Sequence, residues 1–213
     1  MEDDILYLDR PGGPSLAYCY TPAKPGVKGT TIVFLPGYMS DMEGGKALAV
    51  DAWAKQQGRA MLRLDYAGCG ASGGEFEDQS LIDWRDDVLF LIDKVTSGSI
   101  TLIGSSMGGW LMLLVALSRP MRVKHLIGIA AAPDFTDWGF TQEQKMTILR
   151  DGKLEEPSEY SDEPYVTTRT FWQSGDSNRL LHKDIAFDGA VRLLHGQKDM
   201  DVPWEYSLET AKK

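Results

Sequence analysis

Gly104-Ser105-Ser106-Met107-Gly108 sets a serine between two glycines in the spacing G-x-S-x-G, after the apolar run 100–103 and ahead of a helical one. A serine hydroxyl attacks a carbonyl only when it is held clear of its own backbone and beside a base. The spacing meets the first condition. Small residues on both sides let a strand turn sharply into a helix, so Ser106 rides a strained corner with its Oγ above the strand end and near the positive end of the helix. Ser105 fills the variable position. The chemistry is acyl transfer, whose tetrahedral intermediate needs N–H donors for its oxyanion. Met107 supplies one from the backbone. The second is expected from Tyr38, because Phe34-Leu35-Pro36-Gly37-Tyr38 ends an earlier apolar run with a turn that aims an N–H inward.

An acid and a base must join that serine. Asp134, Asp199 and Asp201 all stand just beyond apolar runs, and each could equally cap a loop. The chain has three histidines. His125 opens a strand at the end away from Ser106, and His195 precedes Asp199 in a loop that it is expected to strap. His182 lies at the base of the expected cap but is not expected to serve, since a general base must come within about 3 Å of the hydroxyl.

The elements that position these residues alternate. Run 30–35 is continuous, β-branched and apolar, the pattern of a strand buried on both faces; 60–64 and 190–194 read as further buried strands, and 100–103 and 125–130 as strands. Residues 45–57, 80–94 and 107–117 read as helices; in the second, Trp84, Val88, Leu91, Ile92 and Val95 share a face while Asp83, Asp86, Asp87 and Lys94 lie elsewhere. Residues 5–9 and 16–20 flank a Pro-Gly-Gly-Pro turn as an opening hairpin. Strand–helix alternation predicts an α/β fold with a mostly parallel sheet flanked by helices. Regularity lapses between 135 and 187, where six acidic residues in 151–163 are bracketed by Phe135, Trp138, Phe140, Met146, Phe171 and Trp172. A small cap insertion over the strand ends is expected there. Residues 204–213 read as a helix just begun.

Composition narrows the classes. The 213 residues carry 22 Lys and Arg against 31 Asp and Glu, a net charge of −9, with no basic run. Phosphate backbones need clustered positive charge, so nucleic acid is excluded as a partner. Two cysteines and three scattered histidines do not make a metal site, and no metal or organic cofactor is expected. The apolar stretch 101–117 holds two serines and three glycines, and reads as a strand entering a helix, not a membrane span. Gly68-Cys-Gly70-Ala-Ser-Gly73 matches a dinucleotide fingerprint, but the acidic residues after Gly74 open no helix and would repel a pyrophosphate. The acidic start, Met1-Glu2-Asp3-Asp4, lacks the basic character of a leader. A cytoplasmic setting is expected, or the mitochondrial matrix in a eukaryote.

The chain resembles the α/β-hydrolase superfamily over nearly its whole length, through Asp65-Tyr-Ala-Gly-Cys-Gly-Ala-Ser72, Gly104-Ser-Ser-Met-Gly-Gly-Trp110 and Leu194-His-Gly-Gln-Lys-Asp-Met-Asp-Val-Pro-Trp204. Leu35-Pro-Gly-Tyr-Met-Ser-Asp-Met42, Lys46-Ala47 and 104–113 are similar to its palmitoyl-protein thioesterase and acyl-glucuronide esterase branch, with the bacterial relatives. The resemblance implies Ser106 as nucleophile, Tyr38 and Met107 as oxyanion donors, and Asp199 as the acid, with Asp201 the alternative. It also implies a further strand and a loop bearing the catalytic histidine roughly 25 to 30 residues beyond Asp199, then a closing helix. The expectation is therefore most of a slightly longer enzyme, a serine hydrolase of esters or thioesters on small molecules or acylated proteins. A non-catalytic binding protein and a peptidase of the same fold are the rivals.

Overall fold

In a computed structural model, which describes residues 4–158 and 164–213, the strands assemble into a seven-stranded sheet ordered β1-β2-β4-β3-β5-β6-β9. These are β1 (Leu6–Asp9), β2 (Ser15–Thr21), β3 (Thr31–Leu35), β4 (Met61–Leu64), β5 (Ile100–Ser105), β6 (Val123–Ile129) and β9 (Ala190–Leu194). The opening hairpin β1–β2 runs antiparallel onto β4, and the rest of the sheet is parallel. Every residue of β3, β4 and β5 is buried, whereas β9, expected as a buried strand, is mostly exposed because it forms the edge of the sheet beyond β6. Alternation along β3 sends its side chains to two layers. Ile32 and Phe34 pack with Ala47 and Ala54 of α1 (Gly45–Gln57). Val33 and Leu35 pack with Trp84 and Val88 of α2 (Leu81–Val95) and Trp110 and Leu111 of α3 (Met107–Ser118). Residues 101–117 are thus most of β5 and α3, and among the described residues no helix is long and apolar enough to cross a membrane.

Between β6 and β9 the chain is more regular than its sequence pattern predicts. It forms α4 (Phe135–Trp138), α5 (Gln142–Asp151), the antiparallel pair β7 (Lys153–Glu156) and β8 (Tyr165–Thr168), and α6 (Arg169–Ser177). The cause is local. Thr141 accepts a hydrogen bond from the Gln144 N–H while the Gln144 side chain accepts from the Thr141 N–H, a capping box that starts α5. Thr168 caps α6 through the Phe171 N–H. Residues 159–163, the end of the acidic stretch, lie outside the described residues, as do 1–3. The chain closes with α7 (Glu205–Thr210), where Tyr206 stacks on Trp138 at 4.2 Å.

Asp87 corrects the helical pattern of α2. Its side chain is fully buried, not turned away from the core. One carboxylate oxygen accepts the Ala67 N–H at 2.9 Å and the other pairs with the Arg10 guanidinium from the β1–β2 turn. Burial dominates and pushes this carboxyl up to about 6, against the Ala67 N–H and Arg10, with the Asp83 charge adding to the rise. A group whose folded-state pKa is raised binds its proton more tightly when folded. Its stabilising contribution is complete below the ordinary carboxylate value near 4 and is lost as pH rises through about 6. Asp87→Asn has no such loss. In paired denaturation curves it should therefore gain on the wild type by on the order of 1 kcal/mol between about pH 5 and pH 8; a stability difference independent of pH would contradict this assignment.

Candidate active site

The corner between β5 and α3 carries Ser106 at φ 52° and ψ −120°, outside the conformations ordinary side chains adopt. Three bonds hold it there. The Ser106 N–H donates to the Ile129 carbonyl at 3.0 Å, and the Ser106 carbonyl accepts from Gly109 at 2.8 Å and Ala132 at 3.0 Å. The flanking glycines are required by crowding. A Cβ on Gly104 would lie 2.2 Å from the Gly108 carbonyl oxygen, and one on Gly108 would lie 2.1 Å from that of Leu35. The first turn of α3 is pressed against the end of β3, which brings the Pro36-Gly37-Tyr38 turn beside Ser106: a Cβ on Gly37 would be 3.5 Å from that of Ser106. Met107, whose N–H begins α3, is buried.

Ser106 and Tyr38 line a cavity of about 660 Å³. Its walls include Met39, Phe135, Trp138, Phe140, Tyr165 and Thr167, with Lys46, Glu156 and Asp201 as its charged groups. The residues from the β6–β9 segment thus cover the strand ends with aromatic surface. Backbone strain is gathered nearby. All four described non-glycine residues with positive φ, namely Met39, Ser106, Ala130 and Asp134, are in loops at the C-terminal ends of β3, β5 and β6. Among the described residues no group of histidine, cysteine and acidic side chains could hold a metal ion.

The aspartates separate. Asp199 follows β9, where its Oδ1 accepts the N–H groups of Asp201 (3.0 Å) and Val202 (2.9 Å) and its Oδ2 lies 3.9 Å from His195 Nε2. It is Asp201, two residues on, that lines the cavity with Ser106. Asp134 is committed elsewhere: its buried carboxylate accepts from Leu180 and Leu181 N–H groups at 2.8 to 3.0 Å. Burial raises its pKa despite those bonds, and it ties the return of the chain to the end of β6.

None of the three histidines lines the cavity. His195 Nε2 donates to the Val202 carbonyl at 2.8 Å, and the Ser207 hydroxyl lies 2.6 Å from Nδ1, so the ring straps its loop to α7. His125 is exposed on β6 with Nδ1 3.1 Å from the Thr101 hydroxyl, and His182 is exposed. The structure therefore brings together Ser106, the Gly37–Tyr38 turn and Asp201, and brings no imidazole to them.

The turn beside Ser106 is braced by residues that spacing alone does not reveal. Tyr66 donates from its buried hydroxyl to the Pro36 carbonyl at 3.0 Å. Asp65 accepts the Met42 N–H at 2.7 Å, and Arg63 donates to the Met42 carbonyl at 2.8 Å. Asp65 also accepts the Ala71 N–H at 2.8 Å, which explains the Gly-rich loop 68–74 as a fold around one carboxylate. Its pKa is raised by burial. The thiol of Cys69 in that loop is pushed up to about 12 by burial and by Asp65 and Asp87.

The model for the alpha/beta hydrolase fold matches residues 30–153, which include the elbow, the Gly37–Tyr38 turn and the Asp65 loop. The chain belongs to the alpha/beta hydrolase fold family. Within this family, the mitochondrial palmitoyl-protein thioesterase ABHD10 of Homo sapiens is 42% identical over 214 residues, a match spanning 98% of this chain and 68% of the relative. The solved structure of alpha/beta hydrolase domain-containing protein 10 from mouse superposes with a TM-score of 0.88 at 39% identity, covering 98% of this chain and 84% of that one. A structure from Agrobacterium vitis S4 does so at 0.88 and 33%, covering 99% and 85%. The crowding at the elbow carries a prediction. Gly108→Ala should lower stability by about 3 kcal/mol or more, measured by denaturation; a variant as stable as the wild type would show that the elbow is not held by this contact.

Proposed function

We propose that this chain is the hydrolase core of a serine esterase and thioesterase that works through an acyl-enzyme on Ser106. The observation that carries it is the strained elbow at Ser106, set beside the Gly37–Tyr38 turn on an aromatic cavity. Ser106 Oγ attacks the acyl carbonyl, and the N–H groups of Met107 and Tyr38 receive the oxyanion. An imidazole takes the serine proton and returns it to the leaving thiol or alcohol; water then repeats the sequence to release the acid. We assign the acid that orients that imidazole to Asp199, whose Oδ1 is already fixed by its own loop. None of the three histidines lines the cavity, so none of them is assigned this role.

The substrate is an apolar acyl group, because Phe135, Trp138, Phe140 and Tyr165 form walls that hydrocarbon fills at the least loss of hydration. A palmitoyl thioester on protein, the substrate in the relatives' name, fits that chemistry, as does an acyl glucuronide. Cys19 and Cys69 are buried and form no disulfide, which suits a reducing compartment, the cytoplasm or, as in the name of the human relative, the mitochondrion. The absence of a histidine from the cavity favours one rival, a binding protein that keeps the fold without turnover. Ser106→Ala in the full protein decides between them. It should abolish fluorophosphonate labelling and lower kcat on a palmitoyl thioester by roughly 10⁴-fold or more; an unlabelled wild type would favour the binding protein.

A further inference from the structure

Tyr38 has two ends with different tasks. Its backbone N–H belongs to the turn beside Ser106, while its side chain leaves that turn for the segment between β6 and β9. The hydroxyl donates to the Val166 carbonyl in β8 at 2.5 Å, beside the Thr167 side chain. The ring lies 4.7 Å from Phe171, 5.9 Å from Phe135 and 6.2 Å from Tyr165. Val166 sits between Tyr165 and Thr167, both of which line the cavity. The residue that presents the N–H and the wall that would meet an acyl chain are therefore one packed unit.

The rest of the turn is held from the other side. Pro36 is tied to Tyr66, and Met42 is tied to Asp65 and Arg63. Between those anchors the backbone passes through the left-handed region at Met39, φ 51°. Tyr38 is thus the point at which the β7–β8 pair can set the turn. Burial keeps its phenol protonated far above the ordinary tyrosine range, so it remains a donor at any working pH.

We infer that Tyr38 is a positioning residue whose phenol ties the oxyanion turn to the β7–β8 pair, so that an acyl chain filling the aromatic wall steadies the donor it needs. The inference rests on the proposed serine hydrolase reaction and assigns the source of its acyl-chain preference. Binding interactions with a remote part of the substrate are then expressed in the transition state, and they appear in kcat more than in KM. A phenol that merely lined the pocket would move KM.

Tyr38→Phe removes the hydroxyl and keeps the ring. Measured on the full protein with octanoyl-to-palmitoyl and acetyl thioesters, it should lower kcat on long chains by about 10-fold or more, less than removing an oxyanion donor outright. KM should stay within about two-fold, and the ratio of long-chain to acetyl kcat should fall. Fluorophosphonate should still label Ser106 to completion, only more slowly. Unchanged kcat, a rise in KM alone, or an equal fall in kcat for acetyl and palmitoyl would each overturn the inference while leaving the hydrolase reading intact. A wild type that fluorophosphonate does not label would overturn both. Should Tyr38→Phe fail to fold, Thr167→Val changes the side chain beside that phenol on β8 and carries the same expectation and the same contrary results.

Discussion

The left-handed backbone at Ser106 is the constraint on which the rest of the arrangement depends. One residue in that conformation turns β5 into α3 without an intervening loop, and it persists only because its neighbours leave no alternative. Gly104 faces the Gly108 carbonyl, Gly108 faces the carbonyls of Leu35 and Pro36, and the Ser106 carbonyl holds Gly109 and Ala132. The close approach of α3 to β3 has a second consequence. It brings the Gly37–Tyr38 turn against the serine, so nucleophile and oxyanion turn are placed by a single packing contact.

Around that contact the molecule adds buried polar braces. Tyr66, Asp65 and Arg63 grip the turn at Pro36 and Met42, and Asp87 grips Ala67 just after them. Each is a group whose removal from water is unfavourable unless its bonds are made, so the set is stable only when all its members are in register. The free energy of one kind of interaction, apolar burial by α2 and α3, offsets the desolvation of another. The same sheet ends hold the described non-glycine residues in left-handed backbone, which is where a catalytic scaffold stores strain.

Much of this was legible in the residues. Continuous apolar runs mark β3, β4 and β5 because strands buried on both faces need no polar side, and G-x-S-x-G after β5 marks the elbow because only glycine fits there. Three features escaped that logic for separate reasons. The order between β6 and β9 rests on a capping box at Thr141–Gln144, a two-residue signal submerged in an acidic, aromatic stretch. Asp87, three residues after Trp84 and four before Leu91, is on the buried face of α2, and its polarity hid this because its partners Ala67 and Arg10 come from distant segments. Asp199 and Asp201 differ by two residues, and which one faces a cavity is decided by the turn that Asp199 itself caps. Contacts such as Tyr38 to Val166 span 128 residues and leave no trace in local spacing.

Trapping the acyl-enzyme tests the central claim most directly. The full protein, mixed with a palmitoyl thioester and quenched in acid within the first turnover, is digested and its peptides are read by mass spectrometry. A palmitoyl ester on Ser106, absent from Ser106→Ala, is the result predicted by the strained elbow and its oxyanion turn. An adduct on another residue, such as Cys69 with its deprotonation suppressed by burial, or turnover with no covalent adduct at all, would contradict it.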